Sequence, residues 1–379
     1  MTTPWLLVAG DFTPLGGMDA ANYALARYLA TRSEVHLVTH RAWPDLETSA
    51  AVTVHRVWRP GNRHALGAAL LGPMGRRIAR SLRAQHVHTV VNGGNCRVAD
   101  VNWVHYLHAA FDPDLTGPWL RRTKRALLHR HDLAAERTAL GEARLVLCNS
   151  RRTQRDVVDR LGIPQSRTRI VYYGCDASRL MPVTADERAA ARRTLGCPAD
   201  RPLVGFVGAL GDRRKAFDTL FEAWVALCAT PEWDADLIVV GAGAELPAWK
   251  RRARAAGVSD RIRFAGFRRD VPELMAAFDA VVHPSRYEAY GLSVNEALCR
   301  GIPALVSASA GVAEHYGPEL RDLLIANSDD PGELVARLTE WRRRTEHYRE
   351  LVAPISSALR ARTWDVMARE VVDLVERAA

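Results

Sequence analysis

The chain has 379 residues, 48% hydrophobic and 25% charged, which is typical of a globular protein with two domains that each bury a core. A membrane-spanning helix needs about 18 consecutive apolar residues, and no apolar stretch in this sequence is nearly that long. The first apolar run also lacks the basic residues that precede the apolar core of a signal peptide. The six cysteines are scattered without a C-x-x-C pair, which excludes a cysteine-based zinc site and suits a reducing cytoplasm.

The net charge of +9 at neutral pH is concentrated in the first half of the chain. Residues 1–175 carry 24 Lys and Arg against 13 Asp and Glu, whereas residues 176–379 carry 28 against 30. The densest basic segments are residues 76–83 and 119–140. This asymmetry indicates a polyanionic partner such as anionic lipid or a phosphorylated ligand, although a solvated Arg-rich helix face gives the same pattern. No nucleic-acid-binding signature is present, so no nucleic acid is expected.

Apolar runs and helix-length segments alternate along the first half. The run WLLVAG at residues 5–10 predicts a buried strand, and AANYALARYLA at residues 20–30 predicts an amphipathic helix. Further strands are predicted at residues 34–40, 52–58, 87–92, 101–106 and 144–150. Strands that alternate with helices indicate βα units and a parallel sheet.

A break in this pattern falls at residues 173–200, which are rich in Gly, Pro and Asp as an interdomain linker would be. The alternation then resumes, with strands predicted at residues 202–208, 236–241, 261–266, 279–284 and 302–307. About the last 50 residues are helical in pattern. We therefore predict two doubly wound α/β domains joined by one linker, with a helical tail.

The most informative pattern lies at residues 281–307, VVHPSRYEAYGLSVNEALCRGIPALVS, which predicts a strand, a loop, a helix and a second strand. Glu288 falls in the loop at the carboxyl end of the first strand, and Glu296 lies about a turn and a half into the helix. Ligands of an open parallel sheet bind at that end of the strands. Gly291 marks the helix start, where free backbone N–H groups attract phosphate. Two hydroxyl-binding carboxylates beside a phosphate cradle match a nucleotide sugar.

The same segment resembles the donor-site motif E-x7-E of the family 4 glycosyltransferases, also called glycosyl transferases group 1. The flanks match as well: HPS before the first Glu, an aromatic residue with Gly-Leu after it, then EAL and GIP. The resemblance implies a GT-B fold, in which two Rossmann-like doubly wound domains face each other across a cleft and a helical tail follows. It implies an acceptor-binding domain at residues 1–175, a nucleotide-sugar-binding domain at 176–360, and a helix at 361–379 that crosses back to the first domain.

The resemblance also implies roles for residues of the second half. Glu288 would bind hydroxyls of the transferred sugar, and Glu296 would bind the ribose. The implied phosphate contacts are backbone groups of Gly291, Leu292 and Ser293, and the implied base contacts lie around Arg268 to Val271. One departure from the family pattern is Ala289, where many members have glycine. Its methyl group narrows the space beside the sugar and bears on the choice of donor.

Two cations, Arg214 and Lys215, follow the strand predicted at residues 202–208 and therefore lie at the ligand edge of the second sheet. Fixed cations there stabilise the charge on a leaving nucleoside diphosphate more in the transition state than in the ground state. The family's phosphate loop resembles this one and ends in a Lys that matches Lys215. Some members carry an Arg directly after the strand, where this chain has Ala209, so that role shifts to Arg214. The alternative is a pair of solvated loop cations.

The first half contributes a glycine pair and a histidine pair. Gly16 and Gly17 separate the first strand from the first helix, and glycine lets backbone N–H groups approach phosphate closely. The family has a matching loop that faces the donor diphosphate. It also has a His at the end of the strand predicted at 101–106, near the reactive face of the sugar. His105 matches it best and His108 is the competitor, so the sequence leaves both open.

Three further motifs indicate other chemistry only weakly. Asp112 and Asp114 form a D-x-D, but they lie in a loop rather than at a strand end, so no metal role is expected. The run GAGAEL at residues 241–246 lacks the third glycine of a dinucleotide fingerprint, so no NAD site is expected. His283 precedes the donor loop, where core packing is as good an interpretation as a sugar contact.

The resemblance implies a retaining, metal-independent glycosyltransferase, and we predict Glu288, Lys215, Arg214 and His105 as its catalytic residues. We expect a UDP-sugar donor first and a GDP-sugar second, and no cofactor beyond that co-substrate. The expected acceptor is a glycan, a glycolipid such as a lipopolysaccharide precursor, or a phosphorylated molecule. The expected location is the cytoplasm or, through the basic first domain, the inner face of the membrane. A nucleotide-sugar 2-epimerase and a transferase for small natural products are the alternatives.

Overall fold

A computed structural model describes residues 3–62, 64–113, 119–211 and 213–378. The chain divides into two compact units. One consists of Met1–Gly174 together with Trp364–Ala379, and the other is Cys175–Thr363. Among the described residues, no helix is long and apolar enough to cross a membrane.

A parallel sheet in the order β5-β3-β1-β6-β7-β8-β9 forms the centre of the first unit. A short parallel pair, β2 with β4, lies apart from it. The elements are β1 Trp5–Val8, β2 Asp11–Phe12, α1 Gly17–Ala30, β3 Val35–Thr39, β4 Arg41–Ala42, α2 Pro44–Glu47, β5 Val52–Arg56, α3 His64–Ser81, β6 His88–Asn92, β7 Val101–Val104, α4 Trp119–Glu142, β8 Leu145–Cys148, α5 Arg151–Leu161 and β9 Thr168–Ile170.

The second unit repeats this architecture around a parallel sheet in the order β12-β11-β10-β13-β14-β15. Its elements are α6 Ala185–Leu195, β10 Leu203–Val207, α7 Phe217–Cys228, β11 Asp236–Val240, α8 Leu246–Ala255, β12 Ile262–Gly266, α9 Val271–Met275, β13 Ala280–His283, α10 Leu292–Cys299, β14 Ala304–Ser307, β15 Leu324–Ile325, α11 Pro331–Arg343 and α12 Thr345–Ala361.

The central strands are apolar on both faces, as parallel strands covered by helices must be. All four residues of β1, β8 and β13 are buried. In the second unit the chain runs from β10 outward to β11 and β12, then returns to place β13 on the other side of β10. This reversal creates a crevice between the carboxyl ends of β10 and β13, which is where sheets of this kind bind ligands.

The last helix, α13 Trp364–Arg377, belongs to the first unit although it follows the second in the chain. It packs on α1 and buries Met367, Val371 and Val375. These apolar residues recur at intervals of four, so they form one stripe of the helix. The stripe gives the end of the chain a stable position in the core of the first unit.

The expected fold class, two α/β domains with parallel sheets and a helical tail, is confirmed. One detail is wrong: residues 173–200 are not all linker, since they contain α6. Thr184 and Glu187 form a capping box at its start, and Gly196 adopts a left-handed conformation at its end. Both are recognisable helix boundaries that the abundance of Gly and Pro around them conceals.

Candidate active site

Two strand ends bring a cation and a carboxylate together at the crevice of the second unit. Lys215 closes a short 3-10 turn that follows β10, and Glu288 lies in the loop that follows β13. The Lys215 ammonium donates a hydrogen bond to Oε2 of Glu288. The His283 Nε2 atom, at the end of β13, lies 3.7 Å from the same oxygen. The predicted residues Lys215 and Glu288 thus form one group, which also includes His283.

Arg286 links the two loops that carry this group. Its backbone N–H donates to the carbonyl of Arg214 at 2.8 Å, and its guanidinium binds Asp218 at 2.8 Å and Asp329 at 2.6 Å. Burial raises the pKa of Asp218, but the Arg286 guanidinium outweighs it, so the pKa lies below its usual value. Arg286 therefore positions the turn of Arg214 and Lys215 against the Glu288 loop. Sequence reasoning missed this role, although Arg286 directly follows the HPS signal.

Glu288 is held in its ionised form. Burial alone would raise its pKa, but the Lys215 ammonium, with smaller effects of His283 and Arg214, brings the pKa below its usual value. His283 behaves in the opposite way, because burial and the neighbouring Lys215 lower its pKa to about 4. Near neutral pH the crevice thus contains a carboxylate that accepts hydrogen bonds and a neutral imidazole.

Gly291 shapes the start of α10 beside this carboxylate. It adopts φ 109° at the N-cap, a left-handed conformation that favours glycine. A Cβ atom there would lie 3.0 Å from a methyl group of Val312 and 3.3 Å from Cγ of Glu288. The first N–H groups of a helix have no partner within it, so those of Leu292 and Ser293 are available to an anion.

Glu296 lies in α10 and is half-buried. Burial raises its pKa to about 7, Arg179 opposes the shift, and Glu273 reinforces it. Arg179 and Glu273 form an ion pair at 2.8 Å next to Glu296. Two carboxylates of one site therefore have opposite electrostatic environments, since only Glu288 has an ammonium partner.

The predicted base-binding residues lie at the end of β12 and the start of α9. The Arg268 guanidinium binds the Asp270 carboxylate at 2.6 Å and 2.8 Å, and both side chains are partly exposed. Val271 is the first residue of α9 and packs against the core of the second unit. The pair of Arg268 and Asp270 therefore presents both charges to solvent at this edge.

In the first unit, Gly16 adopts φ 87° and caps α1, whose first residue is Gly17. Sequence reasoning missed a group of charges close to this loop. Asp11 forms ion pairs with Arg59 and, at 3.3 Å, with Arg41. Burial, reinforced by Asp11, raises the pKa of Asp19 in the first turn of α1 to about 7. The signal that could have identified it is an acidic residue two positions after the glycine pair.

The two candidate histidines have different environments. His105 follows β7, is buried, and lies 2.6 Å from the Tyr173 hydroxyl through Nδ1. Burial lowers its pKa to about 3, and its Nε2 atom has no hydrogen-bond partner among the described residues. His108 is partly exposed and lies 3.3 Å from the buried Glu136 of α4. His105 is thus a neutral buried imidazole, and His108 is the more accessible of the two.

The glycines of residues 241–246 have a packing role. A Cβ atom on Gly241 would collide with the carbonyl of Gly208, and one on Gly243 with that of Leu210. The loop after β11 therefore lies directly on the loop after β10, and Leu210 donates a backbone hydrogen bond to Ala242 at 3.0 Å. This contact supports the turn that carries Lys215.

Asp114 of the D-x-D lies outside the described residues, and Asp112 is exposed.

The electrostatic contrast between the two carboxylates predicts opposite effects on stability. With a pKa near 7 in the folded state and 4.5 as its ordinary value, Glu296 stabilises the fold below about pH 4.5, and this contribution is lost as the pH rises through 7. Glu296→Gln should therefore gain on the order of 1–3 kcal/mol of unfolding free energy over wild type between pH 5 and pH 8, measured by urea denaturation.

Glu288→Gln is the matched control, and its expected change in unfolding free energy has the opposite sign. Its lowered pKa contributes stability above its ordinary value of 4.5, so this variant should lose stability near pH 7 and approach wild type as the solution is acidified. Parallel pH profiles for Glu296→Gln and wild type would contradict the raised pKa of Glu296.

Family models match both halves of the chain. The one described as Glycosyltransferase Family 4 covers residues 15–179, and the one described as Glycosyl transferases group 1 covers residues 201–343. The 2-deoxystreptamine N-acetyl-D-glucosaminyltransferase of Streptomyces fradiae is 31% identical over 89% of this chain and 74% of the relative. The D-inositol 3-phosphate glycosyltransferase of Salinispora tropica is 29% identical over 83% of this chain and 71% of the relative.

The fold has solved counterparts as well. The crystal structure of Anabaena HepE in complex with UDP-glucose matches with a TM-score of 0.72 and 18% identity, covering 99% of each chain. At this level of identity the likeness concerns the fold. The extent of the match to the Streptomyces fradiae enzyme, together with the two family models, shows that the chain belongs to the family 4 glycosyltransferases and has the GT-B fold.

Proposed function

We propose that this enzyme transfers a hexose or N-acetylhexosamine from a UDP-sugar to a hydroxyl of a small cyclitol, with retention of configuration and without a metal ion. The observation that carries the proposal is the pair of Lys215 and Glu288 at the crevice between β10 and β13, beside the start of α10. The names of both relatives refer to six-membered cyclitol acceptors, and HepE was crystallised with UDP-glucose. A GDP-sugar is the second choice of donor.

The donor side of the reaction follows from the charges in the crevice. Glu288, held ionised, accepts a hydrogen bond from a hydroxyl of the transferred sugar. Lys215 is 22% exposed, so its ammonium can bind a donor diphosphate in addition to Glu288. Negative charge on the diphosphate grows as the glycosidic bond breaks. Lys215 and Arg214 therefore stabilise the transition state more than the ground state.

The nucleotide is held by residues farther along the same edge. Glu296 accepts hydrogen bonds from the ribose hydroxyls, which favours its ionised form, and the residues from Arg268 to Val271 contact the base. In the first unit, the positive φ of Gly16 and the free N–H groups at the start of α1 suit a phosphate. In this proposal, more residues bind the nucleoside diphosphate than bind the transferred sugar.

The acceptor is assigned to the first unit. Its hydroxyl attacks the anomeric carbon from the face that the leaving group departs, and a phosphate oxygen of the leaving group accepts the proton. No side-chain nucleophile is needed, which agrees with the roles of Glu288 and Lys215. His108 and Asp19 are partly exposed first-unit groups able to bind hydroxyls, whereas the unpartnered Nε2 atom of His105 is buried.

The proposal is tested by incubating the enzyme with UDP-, GDP-, ADP- and CMP-sugars and with 2-deoxystreptamine or inositol 3-phosphate. We expect turnover with a UDP-sugar, a product that keeps the anomeric configuration of the donor by NMR, and no loss of activity in EDTA. An inverted product, or activity lost to EDTA and restored by Mg²⁺, would refute the retaining or the metal-independent mechanism. Turnover of UDP-N-acetylglucosamine without any acceptor would show a 2-epimerase instead.

Two substitutions separate the sugar site from the nucleotide site. Glu288→Ala should remove most turnover and leave the affinity for free UDP nearly unchanged, because its carboxylate is assigned to the sugar. Glu296→Ala should instead weaken the binding of UDP, by on the order of 1.5–3 kcal/mol for each lost hydrogen bond to a charged group. Isothermal titration with UDP measures both, and a large loss of affinity in Glu288→Ala would overturn the assignment.

A second candidate concerns a membrane-bound acceptor, and α4 favours it. Leu120, Leu127 and Leu128 are 65%, 60% and 40% exposed and share one face of this helix, with Trp119 70% exposed at its start. Lys124 lies on the same face and is exposed. An amphipathic basic helix of this kind binds anionic lipid. In this case the enzyme works at the cytoplasmic surface of a membrane, and the six free cysteines suit that compartment.

Co-sedimentation with lipid vesicles tests whether the enzyme binds anionic membranes through α4. Wild type should sediment with phosphatidylglycerol vesicles at low salt, not with phosphatidylcholine, and salt should release it, because surface charges are screened beyond a Debye length. Replacing Leu127 and Leu128 by Ser should abolish binding, whereas Met181→Ser, at a 54% exposed residue of the second unit, should not. If wild type ignores anionic vesicles, the basic face is a solvated surface.

A further inference from the structure

A second cation-rich cavity lies away from the donor crevice, in the same unit. It has a volume of about 550 Å³ and is formed by α6, the residue before β10, the residue before β13, and the junction of α11 with α12. Five arginines line it against two carboxylates, together with a histidine: Arg188, Arg342, Arg343, Arg344, Arg349, Asp279, Glu346 and His347. Neither the family resemblance nor the proposed reaction uses any of them.

The cavity lies at the opposite edge of the strands that carry the active site. Asp279 immediately precedes β13, and its carboxylate accepts a hydrogen bond from the backbone N–H of Leu203, the first residue of β10, at 2.8 Å. Lys215 and Glu288 follow the other ends of β10 and β13. At about 3.3 Å per residue, strands of this length separate the two sites by on the order of 15 Å. They are therefore distinct sites.

Arginine is in excess around Asp279. This buried carboxylate binds the guanidinium groups of Arg188, Arg192 and Arg349. Glu346 also pairs with Arg349, so two carboxylates face three guanidinium groups and one positive charge remains unbalanced. Arg192 is 3% exposed, and burial followed by repulsion from Arg188 lowers its pKa. The base of the cavity thus keeps an excess of positive charge.

The rim adds exposed cations. Arg344 has a 3.3 Å contact to Glu340 on its own helical turn, and Arg342 is paired with Asp234. Arg343 has no ion-pair partner in the described part of the chain, and its side chain is exposed. This concentration is not a by-product of overall charge, because residues 176–379 hold fewer Lys and Arg than Asp and Glu.

We propose that this cavity binds a small anion through a phosphate group, in the form of a phosphomonoester or a diphosphate. The planar fork of arginine matches phosphate oxygens and makes charge-assisted hydrogen bonds to them. A dianionic group placed among Arg343, Arg344 and Arg349 balances the excess charge that Asp279 leaves. The volume holds a phosphorylated small molecule rather than a bare ion.

Inorganic diphosphate is the probe, titrated calorimetrically at low salt. Because it also binds the donor site, the titration is repeated with Arg214 and Lys215 replaced by Ala, where binding to the cavity should persist. The double variant Arg343→Gln with Arg344→Gln should lower the affinity of that remaining site at least tenfold, since both side chains are exposed and their loss leaves the Asp279 network intact. Arg251→Gln with Arg254→Gln, exposed on α8, is the control with the same change of charge and should have little effect.

Hydrogen–deuterium exchange locates the bound probe. Diphosphate should slow exchange at residues 185–195 and 342–349 in the variant that lacks Arg214 and Lys215. Loss of all binding in that variant would show that the donor site alone holds diphosphate and would overturn the proposal. Equal losses in the two charge-matched double variants would overturn it as well, because binding would then follow net charge.

Discussion

The ion pair between Lys215 and Glu288 is the interaction on which the candidate active site depends. The two residues are 73 positions apart in the chain, and they meet because β10 and β13 are neighbours in the second sheet. The contact keeps a buried carboxylate ionised, which burial alone opposes. Arg286 and the glycine loop after β11 support the turn of Lys215 from two sides. The geometry of the site is therefore built before a ligand arrives, as electrostatic catalysis requires.

The two glutamates of the donor motif show how one helix and its loop produce two chemical characters. Glu288 has an ammonium partner, whereas Glu296 is half-buried without one among the described residues and is close to a paired Glu273. An ionised carboxylate only accepts hydrogen bonds, whereas one whose protonation changes near neutral pH can also donate one.

The second sheet places arginine or lysine at both ends of its central strands. At the carboxyl ends the cations are matched to a carboxylate and to the start of α10, and at the amino ends Asp279 is surrounded by more guanidinium groups than it can neutralise. Burying an unpaired charge costs free energy. An excess of buried positive charge is therefore expected where a bound anion balances it. The same physical rule thus explains the ionised Glu288 and indicates a second anion site.

The amino-acid sequence by itself determined the parallel α/β architecture, the family and the E-x7-E residues, because buried strands, helix starts and loop glycines are local patterns. Gly291 was recognisable as a helix start, and its φ of 109° agrees with that prediction. Only the tertiary structure decided which charges meet. The pairing of Lys215 with Glu288, the linking role of Arg286, the burial of His105 and the crowding at Asp279 depend on which strands become neighbours. Strand order is a property of the whole sheet, and no local pattern encodes it.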